Sequence, residues 1–169
     1  MPALSEYELI ARAADFTLRH AQEVEDGILK ELETSADTTL VNALRMLTMQ
    51  RTIVAIGTVQ AFEGSLQLNT GWTNAFKELD AQLRVKGHVD LAERFKNILN
   101  AINALKHGHG RSYSKLESQR AGLPFTVLPN GDQFFNEGDV SEVRRLVDAD
   151  KNFVAQCSDI IREIACVVD

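Results

Sequence analysis

The sequence predicts an all-α protein, an up-and-down bundle of about five long antiparallel helices with a loop or small β-hairpin inserted before the last. Three observations carry this expectation. Apolar residues recur at helical spacing over five stretches. Short polar or glycine-containing breaks separate the first four stretches, which makes consecutive helices antiparallel neighbours. The helical period disappears only between Gly108 and Gly138. The chain has no repeat and no low-complexity tract, so its 169 residues are expected to form a single helical-bundle domain over 1–169.

The first helix is expected from Ser5 to Glu33. Ser5 and Glu8 have the spacing of a capping box, and Ile10, Ala14, Thr17, Ala21, Val24 and Ile28 form one stripe. Residues 34–38 make the turn. The second helix should run from Thr39 to Leu68. From Thr52 to Phe62 it is apolar almost all round, the pattern of a central, buried helix. Gly57 and Gly64 fall inside it, and each costs a helix about 1 kcal/mol relative to alanine. Their presence is expected to mean that another helix packs close by.

A break at Asn69–Gly71 leads to a third helix over Thr73–Lys86, with Trp72, Phe76, Leu79 and Leu83 at helical spacing and Gly87 as its stop. The fourth helix covers Val89–Lys106, with Leu91, Phe95, Ile98, Ile102 and Leu105 turned inward, and Gly108 ends it. Beyond it, FTVL at 125–128 and QFF at 133–135 flank Asn130-Gly131, the signature of a tight hairpin. The last helix is expected to start behind Asp139, with Glu142 three residues later, and to carry a stripe from Val143 to Ile164.

A hydrophobic fraction of 44% and a charged fraction of 25% are those of a soluble globular chain. The uncharged apolar run at Thr52–Phe62 is far shorter than the roughly 20 residues of a membrane span, so no membrane partner is expected. The acidic, polar start MPALSEYELIARAADF is unlike a signal peptide. Cys157 and Cys166 lie in one predicted helix, about 13 Å apart along its axis, and cannot bridge each other. Reduced cysteines point to a cytoplasmic protein.

The net charge is -6, yet Arg84–Arg120 contains eight Lys/Arg against three Asp/Glu. A nonspecific nucleic-acid coat over the whole surface does not fit this balance, whereas a local site for an anion does.

The candidate chemistry gathers at the end of the fourth helix. Lys96, Asn100, Asn103 and His107 follow steps of four, three and four and share one face. They read either as a hydrogen-bonding ridge leading to His107 or as a polar stripe that stitches helices together. In 106-KHGHGRS-112 the helix end favours a charged His107, the glycines let the backbone turn, and Arg111 offers a fork suited to phosphate. The same residues also suit a plain helix cap. Glu63 borders the most apolar part of the second helix and calls for a cationic or histidine partner, expected near His107. His20 is expected to be a packed structural histidine. His88, His107 and His109 lack the cysteine or carboxylate spacing of a metal site, so neither a metal nor another cofactor is expected.

Two segments, 61-AFEGSL-66 and 100-NAINALKHGHGRSY-113, resemble the HEPN superfamily of small all-α bundles. Many members are ribonucleases of bacterial and archaeal defence or stress systems, and they are often dimeric. Their usual site pairs an arginine with a histidine near a helix end, supported by a polar or acidic residue of an earlier helix. The resemblance implies Asn103 and His107 as the polar residue and the histidine, and Glu63 as the supporting acid. The positions where the family's arginine would fall hold Asn100 and Ile102, and Arg111 follows the histidine instead of preceding it. The implied activity is recognition of RNA or a nucleotide phosphate. If cleavage occurs, His107 is the general acid–base, Glu63 orients it, Asn103 and Asn100 position the substrate, and Arg111 stabilises phosphate charge. The competing expectation is a non-enzymatic interaction or dimerisation protein of such a system. Helices of 25–30 residues would be about 40 Å long, longer than a domain of this size is deep, so self-association as a homodimer is expected on either reading.

Overall fold

The computed structural model describes residues 4–129, 143 and 145–168. Helix α1 spans Glu6–Leu32 and opens as its sequence requires, with the Ser5 hydroxyl accepting the Glu8 N–H at 3.3 Å. Helix α2, Thr38–Thr70, starts where the Asp37 carboxylate accepts the Thr39 N–H at 2.7 Å, and it stops at Gly71 in the left-handed region with φ 74°. Helix α3 is Ala75–Val85. Behind it, Gly87 at φ 85° lets His88 N–H reach the Leu83 carbonyl (2.8 Å) and Gly87 N–H reach that of Arg84 (3.0 Å), which satisfies two orphan acceptors. Helix α4 is Val89–His107, α5 is Arg111–Ser118, and α6 is Lys151–Val168. The Asp150 carboxylate caps α6 by accepting the Phe153 N–H at 2.8 Å.

The protein is therefore an all-α helical bundle. Helix α1 lies along α2 and α6, α2 also packs on α6 and α4, and α5 folds back on α4. At the centre Phe62 meets Tyr7 of α1, Phe76 of α3 and Phe95 of α4. Phe153, Cys157, Ile161 and Ile164 bring the apolar stripe of α6 into the same core. Across the α1–α6 seam, Arg162 joins Glu8 (3.2 Å), Asp15 and Asp159 (3.1 Å).

Several expectations are corrected. The last helix begins at Lys151, because residues 145–150 are not helical. Val147 pairs antiparallel with Val127, with Leu128 N–H bonded to the Leu146 carbonyl and Asp148 N–H to that of Thr126, each at 3.0 Å. Two β-branched residues prefer this extended pairing to a further helical turn. The expected cap at Asp139, the Asn130-Gly131 turn and the 133–135 strand lie outside the described residues. Helix α5 appears where no helical period was expected, since eight residues with only Tyr113 and Leu116 buried are too few to establish one. His20 is exposed, its ring lies against Phe16 (4.2 Å), and its Nδ1 is 2.9 Å from the Phe16 carbonyl oxygen.

Helix α2 is not buried all round: Met46 is 70% exposed, Ile53 65% and Leu68 82%. The far ends of α1 and α2 reach past the other helices as an arm, and no residue from Gln22 to Met46 is buried. At its root the Glu25 carboxylate accepts both terminal nitrogens of the largely buried Arg51.

The two thiols differ sharply. Burial pushes Cys157 up to about 12, while Cys166 is exposed. Since the thiolate is the reacting form, a disulfide reagent at pH 8 is expected to modify one thiol per native chain and two in denaturant. Fast modification of both in the native protein would contradict the packing of α6.

Candidate functional site

Helix α4 reaches its end with Ala104 buried, Leu105 half-buried, and Lys106 and His107 in solvent. Gly108, at φ 74°, then reverses the chain; both histidines stay exposed, and His109 lines a groove against α2 whereas His107 does not. The His109 ring stands edge-on to Tyr113, with centroids 5.2 Å apart and planes at 89°. Tyr113 is fixed in turn by donating its hydroxyl proton to the Leu128 carbonyl at 2.6 Å.

This reversal forms one wall of a groove of about 290 Å3. Thr48, Met49 and Thr52 of α2 face Leu105, Gly108 and His109 across it, and Arg145 and Leu146 close the end. Both threonine hydroxyls donate to carbonyls one turn back, so the α2 wall is predominantly apolar. Arg145 is held by Asp148 at 3.0 Å. Its Nε is buried and has no acceptor among the described residues. A buried donor without an acceptor costs roughly 1–3 kcal/mol.

The residues expected to form one site are only partly brought together. Asn103, His107 and Arg111 are exposed around the α4–α5 junction, and Asn100 is half-buried on the same face of α4. Among the described residues none of these four side chains makes a hydrogen bond or an ion pair, and Lys96 of the stripe pairs only with Glu93 of its own helix at 3.8 Å, so no described bond of the stripe joins α4 to another helix. Glu63 does not join them. Its neighbour Phe62 touches Phe95, and His107 lies twelve residues further along α4, about 18 Å. The end of α4 meets α2 beside Thr48 and Thr52 instead. Among the described residues the Glu63 side chain bonds only Gln60 of its own helix, at 3.5 Å. The two helices run antiparallel, which places the end of one beside the beginning of the other.

His109 and Arg145 were not singled out together by sequence. In His-Gly-His-Gly nothing tells which imidazole lines the groove, and Arg145 arrives from a segment whose extended path the sequence did not suggest. Around the groove, Lys106, Arg111 and Lys115 are exposed and have no carboxylate partner among the described residues. Most other arginines are tied up, as Arg84, Arg94 and Arg162 are by Asp80, Glu163 and Asp15. The local positive balance of the sequence is thus concentrated in cations available to a ligand. Among the described residues no three His, Cys, Asp or Glu side chains converge as a metal site would need, and no helix is long and apolar enough to cross a membrane.

The chain matches no protein-family model, no curated protein and no solved structure. The likeness to the HEPN superfamily therefore rests on the motifs alone.

Proposed function

We propose that the protein is a HEPN-like helical module that binds a phosphate-bearing ligand, a nucleotide or the phosphate of an RNA, without cleaving it. The observation that carries this reading is that His109 and Arg145 line one groove otherwise walled by predominantly apolar groups. Its volume of about 290 Å3 lies at the small end of ligand pockets, near the size of one nucleotide. Met49, Leu105 and Leu146 supply surface for a base, Arg145 supplies charge for phosphate, and the His109 ring offers a hydrogen-bonding nitrogen. Lys106 and Arg111 on the rim extend the positive field toward a longer strand. Binding without cleavage is inferred from the separation of His107 and Glu63, which leaves the histidine no carboxylate to orient it among the described residues.

Amide-resolved NMR titration with inorganic phosphate, a mononucleotide and a short single-stranded RNA tests this. Shifts are expected at His109 and Arg145. Arg145→Met should weaken mononucleotide binding by at least tenfold, the effect of losing about 1.5 kcal/mol of charge-assisted hydrogen bonding. His107→Ala should leave mononucleotide affinity unchanged, and Arg111→Ala should weaken RNA more than mononucleotide. No shift in the groove with any of the three probes would sink the proposal, and RNA cleavage abolished by His107→Ala would replace binding with catalysis. The second reading, a dimerisation protein, is favoured by the exposed apolar strip of α2.

A further inference from the structure

A second cavity, of about 240 Å3, lies between α4 and α6 and shares no residue with the groove beside His109. Ile98 of α4, Ile160 of α6 and Phe125 give it an apolar lining, with Pro124 beside them. Those three are buried. The Phe125 ring is held in place, edge-on to Phe153 at 5.2 Å.

Side-chain bonds bridge the cavity wall at two places. Arg94 reaches from α4 to the Glu163 carboxylate of α6, with Nη1 donating to one oxygen at 2.9 Å and Nη2 to the other. Gln156 Nε2 donates to the Pro124 carbonyl at 2.9 Å. All four residues line the space. A cavity bridged in this way suits a compact molecule better than a chain running through it. Its volume lies below the usual range of ligand pockets, which limits the occupant to about one ring with a short chain.

The charged residues of the lining are Arg94, Asp159 and Glu163. Arg94 and Glu163 neutralise each other. Asp159 is less well served. Its partner is Arg162, at 3.1 Å, and the same guanidinium also bonds Glu8 and Asp15. Even with Arg12 on Glu8, two cations serve three carboxylates among the described residues. The Asp159 side of the cavity is therefore left negative. Gln156 adds to this. Only its amide nitrogen can face the Pro124 carbonyl, so its oxygen remains an acceptor without a partner among the described residues. Gln156 and Asp159 are three residues apart on α6 and share one face.

An ammonium group has three donors, one positive charge and no acceptor. A carboxylate short of positive charge and a free amide oxygen answer that head group, and the apolar lining answers a hydrocarbon body. We propose that this cavity binds a compact organic ammonium ion, a free amine carrying one ring or a short alkyl chain. Its charge preference is opposite to that of the groove beside His109, so the assignment does not rest on the phosphate reading.

NMR titration of the full chain with phenethylammonium, 2-phenylethanol and phenylacetate tests this, because the three probes share a ring and differ in head group. Phenethylammonium is expected to shift Ile98, Phe125 and Ile160 and not His109. The alcohol should bind about threefold to fivefold more weakly, the effect of losing one partly exposed ion pair, and phenylacetate more weakly still. Asp159→Asn should lower the affinity for phenethylammonium by the same factor and leave that for 2-phenylethanol unchanged. Its helical circular dichroism should stay that of the wild type, since the Asp159 side chain is 68% exposed. A tripeptide amide beginning with phenylalanine presents the same ammonium and ring at a chain end, and it should bind several-fold more weakly than the free amine. No shift at the three lining residues with millimolar phenethylammonium would overturn the site. Phenylacetate binding as tightly as the amine, or an Asp159→Asn variant with undiminished amine affinity, would overturn the charge preference. Equal affinity for the tripeptide would overturn the free amine as occupant and point to a protein N-terminus.

Discussion

Phe62→Ala is expected to lower the free energy of unfolding by about 4 kcal/mol. Phe62 has no exposed surface and joins four helices. Its ring meets Tyr7 edge-on at 5.4 Å and Phe95 edge-on at 6.0 Å, and it lies tilted to Phe76 at 6.3 Å. Truncation removes the transfer energy of a buried phenyl ring, and it removes three aromatic contacts worth about 0.5–1.5 kcal/mol each. The cavity cannot collapse easily, because the three surrounding rings sit on separate helices with their own packing. Chemical denaturation with an unchanged slope would report this loss. Phe16→Ala, at a ring 56% exposed, should change stability by less than about 0.5 kcal/mol. Equal effects at the two positions would mean that the core is not centred on Phe62.

Much of the scaffold could be read from periodicity because its helices are long. Over α1, α2 and α4 the stripe repeats through many turns, and Ser5, Gly71, Gly87 and Gly108 mark the ends through hydrogen bonds or positive φ. Reading failed where that redundancy is lost. Helix α5 has two buried residues, and two positions define no period. Val143, Leu146 and Val147 fitted the stripe of the last helix as well as they fit an extended segment, and the cross-chain partner Val127 decided between the two. A pairing over twenty residues of sequence leaves no local trace.

The candidate site was legible in kind and not in arrangement. Lys106 and Arg111 mark the α4–α5 junction as cationic, and they are exposed there beside His107. Glu63 was joined to them on chemical need and on the family resemblance, and antiparallel packing put it near the opposite end of α4. The apolar run at Thr52–Phe62 misled in another way. An all-round apolar helix implies all-round burial, but the chain supplies neighbours for only part of the circumference and leaves Ile53 in solvent. Composition shows that a surface should be covered, and not whether the same chain covers it.

Arg51→Ala is expected to loosen the α1–α2 arm while leaving the core intact. The arm is two helices thick and has no buried residue from Gln22 to Met46, so little apolar burial fixes it. Its root depends on Arg51, 9% exposed, whose terminal nitrogens both bond Glu25, one of them at 3.0 Å. Removing the arginine leaves Glu25 charged, 22% exposed and without its counter-ion. Breaking a fully buried pair costs about 3–5 kcal/mol, and the partial exposure of Glu25 reduces this to about 2–3 kcal/mol. That energy should appear locally, because the arm can open without unfolding the bundle. Hydrogen exchange across 22–46 should speed up by about 30- to 160-fold, while amides from Ala55 to Leu66 keep their protection. Replacing both partners, as Arg51→Met with Glu25→Leu, should restore most of the protection, since an apolar pair carries no desolvation penalty. Uniform loss of protection along the chain would place Arg51 in the global core. No loss in the arm would mean that the ion pair does not fasten it.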